Sequence, residues 1–354
     1  MTAHNKKLIR VLKGEILTPP PIWLMRQAGR YLPEYRATRA QAKDFLDLCF
    51  TPDLAVEVTL QPIRRYGFDG AILFSDILVV PHALGQRVWF EEGAGPRLEP
   101  LRDASDIANL NPDGLHDKLA PVYETLRRLC RELPRETALI GFAGAPWTVA
   151  SYMIEGQTSR DFATAKTWAY RAPEEFSRLI DILVASTSDY LIAQIEAGAE
   201  VLQLFDSWAG VWPEAALRRW CLKPAAEIVR RVKAIYPEVP IILFPRGAGL
   251  LYEAFATEAG AEGLSLDTTV PLDWARERLQ GRVVLQGNLD PLLLVAGGTA
   301  LEAGVTKILE TLGNGPLIFN LGHGITPQAP PEHVEQLVAQ VRGWRARAGA
   351  RLAR

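Results

Sequence analysis

Eight short apolar runs of strand-forming type restrict this sequence more than any other feature, because long helix-period stretches separate them. The runs are Ile22–Met25, Ala71–Phe74, Ala138–Phe142, Val201–Phe205, Ile241–Phe244, Gly263–Leu266, Val283–Gln286 and Leu317–Asn320. Most are apolar on both alternations, the pattern of parallel strands covered on both faces. Between them, Leu179, Ile182, Leu183, Leu191 and Ile195 keep roughly helical spacing up to Gly198, and Leu301, Val305, Ile308 and Leu312 do so up to Gly313. A glycine just past a helix predicts a left-handed cap at both places. Glu196-Ala-Gly-Ala-Glu200 and Glu258-Ala-Gly-Ala-Glu262 echo each other before two of the runs, as repeated βα units do.

Eight strands with crossover helices predict an α/β fold, a (β/α)8 TIM-type barrel. An open doubly wound sheet is the structural rival, and no GxGxxG motif follows an early strand to support it. The 354 residues contain no Ser/Gly linker, so residues 1–354 read as a single barrel domain. The polar N-terminus 1–6 and the basic tail 344–354 are expected to be flexible ends. Pro81 to Arg135 reads as a loop plus helices. Arg342, Arg345, Arg347, Arg351 and Arg354 read as a solvated face of a C-terminal helix.

Net charge is 39 − 41 = −2, which argues against nucleic acid as the main partner. The three cysteines, Cys49, Cys130 and Cys221, are far apart and form no CxxC, so neither a disulfide framework nor a zinc ribbon is expected. The N-terminus has no apolar signal region and no run reaches membrane-spanning length. These features predict a cytoplasmic protein without a membrane partner.

In a barrel, function gathers where strands end and βα loops begin. The first run leads into Arg26-Gln-Ala-Gly-Arg30, the second into Ser75-Asp76, the third into Gly-Ala-Pro-Trp-Thr and then Tyr152. The fourth leads into Asp206-Ser207, the fifth into Arg246, the seventh into Gly287-Asn-Leu-Asp290 and the last into Gly322-His-Gly324. Arg26 and Arg30 present permanent planar cations suited to carboxylate or phosphate. The alternative for them is structural pairing with Glu34 or Glu91. Asp76, among apolar neighbours, is either a satisfied core acid or a site residue. His323, between glycines, reads as a general acid or base, as a carboxylate anchor, or as a loop histidine. Taken alone, Tyr152 and Ser207 read as a buried hydroxyl and a helix cap.

No lysine stands at a strand end for a Schiff base, no HxH or HExxH suggests a metal, and no GxxxxGK[ST] suggests a nucleotide phosphate loop. The remaining set of arginines, one acid, one histidine and hydroxyls suits cofactor-free acid/base work on an anionic substrate.

Several longer motifs then resemble one family. Pro21-Ile-Trp-Leu-Met-Arg-Gln-Ala-Gly-Arg-Tyr-Leu-Pro-Glu-Tyr-Arg36 resembles the first signature of the uroporphyrinogen decarboxylases, and Gly141-Phe-Ala-Gly-Ala-Pro-Trp-Thr148 the second. Phe74-Ser-Asp-Ile-Leu-Val-Val-Pro81, Leu204-Phe-Asp-Ser-Trp-Ala-Gly210, Leu285-Gln-Gly-Asn-Leu-Asp-Pro291 and Asn320-Leu-Gly-His-Gly324 follow in the family's order. The resemblance runs from about residue 7 to about 343. It implies a (β/α)8 barrel, a homodimer, no metal or organic cofactor, and uroporphyrinogen III as the tetrapyrrole substrate. Its four acetate side chains would be decarboxylated to give coproporphyrinogen III.

The resemblance also implies roles. Asp76 accepts pyrrole N–H groups and stabilises the protonated ring, and Tyr152 lies beside it. Arg26 and Arg30 grip carboxylates, one of them assisting proton delivery, while Ser207 and His323 contact peripheral carboxylates. Gln27, Ala28 and Gly29 contribute loop shape and backbone donors. Pro245-Arg246-Gly247 departs from the expected Ala-Lys-Gly but keeps the cation. Two rivals share the fold: a thiol methyltransferase with a corrinoid partner, which needs zinc ligands, and a non-catalytic tetrapyrrole carrier, which has no need of Asp76.

Overall fold

A computed structural model describes residues 5–91 and 95–345. Seven of the eight runs form one parallel sheet. With the strands numbered along the chain, these are β1 (Gly70–Ile72), β4 (Ala138–Gly144), β5 (Val201–Asp206), β6 (Ile241–Pro245), β7 (Gly263–Ser265), β8 (Val284–Leu289) and β9 (Leu317–Leu321). They pair in that order, each neighbour parallel to the last. β4, β6, β8 and β9 are buried at every residue, as their two-faced apolarity predicts.

The remaining run, around Ile22, makes a single parallel bridge to Phe319 of β9. The Phe319 amide donates to the Pro21 carbonyl at 2.8 Å, and the Asp69 amide, just before β1, donates to the Ile22 carbonyl at 2.9 Å. The Asp69 carboxylate accepts the Ile22 amide in return. The first run thus lies between the two outer strands of the sheet. Beneath the strand ends, Trp23 Nε1 donates to Gln286, whose amide donates to Gln203 of β5 and Ser265 of β7. Gln203 and Gln286 belong to strands that are not neighbours, so they meet across the space that the sheet curls around.

The helices cover the outside. In the helix Gly298–Leu312 the predicted Leu301, Val305, Ile308 and Leu312 form the buried stripe, each contributing about 1.5–3 kcal/mol by burial. Its terminal glycine does not act as expected. Gly198 has a positive φ of 116°, but Gly313 is right-handed at φ −70°. Gly313 is small for another reason: a Cβ there would lie 2.5 Å from the Trp344 ring.

The Glu-Ala-Gly-Ala-Glu echo has a shared structural role. Glu200, which precedes β5, accepts the Leu139 amide at the start of β4, and Glu262, which precedes β7, accepts the Ile241 amide at the start of β6. Each glutamate also meets a lysine, Lys6 for Glu200 and Lys233 for Glu262. Lys6, placed by the sequence in a flexible end, is therefore fixed. Of the expected flexible ends, Asn5, Trp344 and Arg345 are also described, and residues 1–4 and 346–354, with Arg347, Arg351 and Arg354, lie outside the described residues.

Two further expectations need correction. Pro81–Arg135 contains, besides helices, an antiparallel hairpin of β2 (Val88–Glu91) and β3 (Gly95–Leu98). Arg342 is half-buried rather than free in solvent; it donates to the Gly67 carbonyl and pairs with Asp69 at 3.6 Å, whereas Arg345 is exposed as expected. No helix among the described residues is long and apolar enough to cross a membrane.

Candidate active site

The C-terminal ends of the strands open into a cleft of about 1110 Å3, and eight of the residues singled out at strand ends line it: Arg26, Ala28, Gly29, Arg30, Asp76, Tyr152, Ser207 and His323. Asp206, Arg246, Asn288 and Asp290 are not on that lining, and neither is Gln27. Its side chain is buried, accepting the Leu24 amide and donating to the Gly70 carbonyl, and its own amide is spent on the Leu24 carbonyl. It shapes the loop and offers the cleft no donor.

The turn that Gln27 closes holds Arg26 at φ +60°. A non-glycine residue in the left-handed region is costly and marks a site whose surroundings enforce it. The enforcement comes from both sides. The Met25 amide donates to Asn320, and the Ile325 amide donates to the Met25 carbonyl. Gly324 supplies the room: a Cβ there would stand 2.3 Å from Arg26 Cδ. One of the two glycines around His323 is therefore needed by an arginine 298 positions away in the chain.

Asp76 follows β1 where Thr59 Oγ1 accepts the Phe74 amide and ends the strand. One carboxylate oxygen accepts the Leu78 amide at 2.8 Å. Burial pushes the carboxyl above its ordinary pKa, against the Leu78 N–H and the Arg26 guanidinium, which favour the anion. Tyr152, on the helix Pro146–Glu155, has its hydroxyl pKa raised chiefly by burial and remains a neutral donor. His323 is pushed down to about 4 by burial and by Arg26 and Arg246. Its Nδ1 accepts the Gly324 amide at 2.6 Å. An Nδ1 that accepts leaves the proton on Nε2, so the ring is a neutral N–H donor at neutral pH.

The alternative partners for the first two arginines are taken. Glu34 pairs with Arg65 at 2.8 Å, and Glu91 with Arg97 at 2.9 Å. Three cations that the sequence left unassigned, Arg36, Arg39 and Lys43, join Arg26 and Arg30 on the lining. Arg246 stands beside His323, its guanidinium 5.9 Å from the Trp208 ring centre. Its loop is tied down by Asp267, which accepts the Gly247 amide and the Tyr252 hydroxyl. Among the described residues none of these six cations is in an ion pair.

The floor of the cleft is aromatic. Phe142 and Phe205 meet edge to face at 5.7 Å, Phe205 and Phe244 at 6.2 Å, and Phe244 meets the His323 ring at 6.3 Å. Phe205 and Phe244 stand two residues before Ser207 and Arg246, on the same face of their strands. A second aromatic group, Tyr35, Phe74, Phe45 and Phe90, forms a wall on the Asp76 side. The phenylalanine of β2 brings the unforeseen hairpin into the site.

The model of the uroporphyrinogen decarboxylase (URO-D) family matches residues 3–344. This chain belongs to that family. It is 58% identical over 341 residues to the uroporphyrinogen decarboxylase of Rhodospirillum rubrum, covering 96% of this chain and 98% of that one. Identity to the enzyme of the same name from a Chelativorans species is 60%, over 96% of this chain and 99% of the relative. Among solved structures, a methyltransferase from Methanosarcina mazei superposes with a TM-score of 0.75 at 19% identity, over 95% of this chain and 97% of that one. At that identity the likeness is one of fold. Among the described residues no three His, Cys, Asp or Glu side chains are grouped as metal ligands.

Proposed function

We propose that this chain decarboxylates the four acetate side chains of uroporphyrinogen III, releasing coproporphyrinogen III and four CO2. One observation carries the reading: Arg26, Arg30, Arg36, Arg39 and Lys43, with Arg246 beside His323, surround an aromatic floor, and Asp76 is the one lining carboxylate that is not exposed, Asp44 and Glu91 facing solvent. A reduced tetrapyrrole with eight carboxylates matches that pattern, apolar rings on the floor and anions toward the rim.

In the mechanism, a ring carbon of one pyrrole takes a proton and the ring becomes a cation. The bond between the acetate CH2 and its carboxylate then breaks, CO2 leaves, and the electron pair flows into the ring. The exocyclic carbon is protonated to a methyl group and the ring loses its extra proton, so each turn consumes one proton net. Asp76 accepts the pyrrole N–H groups and stabilises the cation without reorganising. This role takes the place of an electron-sink cofactor. Arg26 and Arg30 hold carboxylates next to the reacting acetate, Tyr152 donates there, and Ser207 and neutral His323 bind peripheral carboxylates. Ala28 and Gly29 leave room for close approach. The donor of the first proton is an arginine, a substrate acetic acid group or a bound water.

The reading takes the protein as a cytoplasmic homodimer of single-domain subunits with no nucleic-acid or membrane partner. It also takes the segment around Ile22 as the eighth strand of a closed (β/α)8 barrel. The hydrogen bonds on both of its sides support closure. Slow exchange of the Phe319 and Asp69 amides is expected, and exchange as fast as in a free loop would open the barrel.

The function is tested by anaerobic incubation with uroporphyrinogen III, followed by oxidation and separation by carboxylate number. Seven- to four-carboxyl products are expected. Persistence of the eight-carboxyl species alone, with folded protein, overturns the reading and favours the carrier.

A further inference from the structure

The strand that delivers Ser207 to the cleft carries a second acid that the mechanism does not use. Along β5 the side chains alternate, so Phe205 and Ser207 face the cleft while Asp206 points the other way, into the packing between sheet and helices. Asp206 is 4% exposed and its partner Thr148 fully buried. Thr148 Oγ1 donates to Asp206 Oδ1 at 2.6 Å. The same oxygen accepts the Trp208 amide at 3.2 Å. A hydroxyl has one proton, so its direction is settled: it is given to Asp206, and a lone pair receives Trp208. The Trp208 carbonyl is taken by Trp147 Nε1 at 2.8 Å, and the Asp206 carbonyl accepts the Arg246 amide at 3.1 Å. Asp206 Oδ2 is buried and meets only the Cys221 thiol, a weak donor.

What this pair fixes lines or adjoins the cleft. Ser207 lies between the two clamped residues. The Trp208 ring stands 6.5 Å from Tyr152, and Arg246 lies against its face. Retaining a buried carboxyl with one oxygen held only by a thiol costs stability. No contact with solvent or with the cleft accounts for its presence.

We infer that the Thr148–Asp206 pair is a positioning device: it holds the Ser207–Trp208 backbone at the depth where Ser207, Tyr152 and Arg246 meet the peripheral carboxylates of the substrate. This inference rests on the decarboxylase reading, and its test has one arm that does not. Trp208 in 5-fluorotryptophan-labelled protein, assigned with Trp208→Phe, reports loop position without substrate. Thr148→Ser keeps both hydrogen bonds and Thr148→Val keeps neither. Asp206→Asn keeps the acceptor and Asp206→Leu removes it. The Trp208 resonance is expected to stay in place in Thr148→Ser and Asp206→Asn and to shift or broaden in Thr148→Val and Asp206→Leu.

In steady-state decarboxylation the two disruptive variants should raise KM for the eight-carboxyl substrate by about tenfold, the factor that ~1.4 kcal/mol represents. Their kcat should change much less. A merely structural pair would instead lower the active fraction, and hence kcat, at constant KM. An unmoved resonance in Thr148→Val, or a moved resonance with unchanged KM, overturns the inference. If the parent protein does not turn over at all, the decarboxylase reading has failed, and the resonance still decides whether the pair positions the loop.

Discussion

Replacing Asp76 by Asn is the most direct probe of the cation mechanism. The substitution preserves the shape and the oxygen that accepts the Leu78 amide, so the loop entering the helix Val79–Ala83 should survive. What disappears is one full negative charge beside the ring. For a pyrrole cation at ~4 Å in surroundings of effective dielectric ~20, that charge is worth about 4 kcal/mol. Lost from the transition state only, it lowers kcat by about 10³-fold. KM should move far less, because the carboxylate-binding cations are untouched. Single-turnover conversion of the eight-carboxyl species to the seven-carboxyl species, timed under nitrogen, reads this step without later ones. Stability gives an independent check. Burial raises the folded pKa of Asp76, so the folded state holds the proton more firmly than the unfolded chain. The group therefore favours folding in its protonated form, and that contribution fades as pH rises through the raised pKa. At neutral pH the Asn variant should be as stable as the parent or more so in urea. An Asn variant that keeps a tenth of the parent kcat would refute an electrostatic role for Asp76, and the cation would need another partner.

Three other outcomes follow from the same geometry. Gly324→Ala would set a methyl group 2.3 Å from Arg26 Cδ, and displacing that arginine by an ångström should reduce kcat/KM by about 10²-fold, with the urea midpoint as the control for folding. Raising ionic strength from about 0.1 to 1 M shrinks the screening length from about 10 to 3 Å, so KM should rise steeply with salt, and more for the eight-carboxyl substrate than for the five-carboxyl intermediate; a flat salt dependence would remove the rim cations from binding. His323 titrates near 4 in the folded chain against an ordinary 6.5, so the unfolded chain gains a proton first and stability is lost as pH falls from 6.5 to about 4. His323→Gln should lose less over that interval in matched urea titrations; equal slopes would mean that the ring is charged in the fold.

The strand pattern was legible because two-faced apolarity is a local signal. Seven runs are strands of one sheet, and the polar residues at their ends converge as parallel strands require. The hairpin was not legible: Pro96 and the charged Glu91 and Arg97 interrupt any strand-like alternation, and Phe90 gains its meaning only from Phe45, which packs on it at 4.6 Å. Arg36 and Arg39 were hidden for a related reason. They lie on the helix Pro33–Arg39, where cations ordinarily face water, and only the tertiary placement turns that helix toward the cleft. The aromatic floor was within reach, since stepping back two residues from Ser207 or Arg246 finds it. Gln27 was grouped with the site through the family resemblance, yet residues in one turn divide their work: Arg26 faces the ligand space and Gln27 the core.

The hydrogen bonds between Pro21 and Phe319 also set a schedule for synthesis. At about 5–20 residues per second, the ribosome needs roughly 15–60 s to travel from one to the other. Until β9 emerges, the segment bearing Trp23 and Arg26 lacks half of its backbone partners, and the arginine loop lacks Asn320 and Gly324 against which it is formed. A nascent chain can assemble most of its sheet and still lack the Arg26 and His323 side of its anion-binding rim. Ligand capture that needs Arg26 and His323 together is thereby postponed to the last part of translation, and a polypeptide truncated before residue 317 would lack the side of the cleft that Asn320, His323 and Gly324 build.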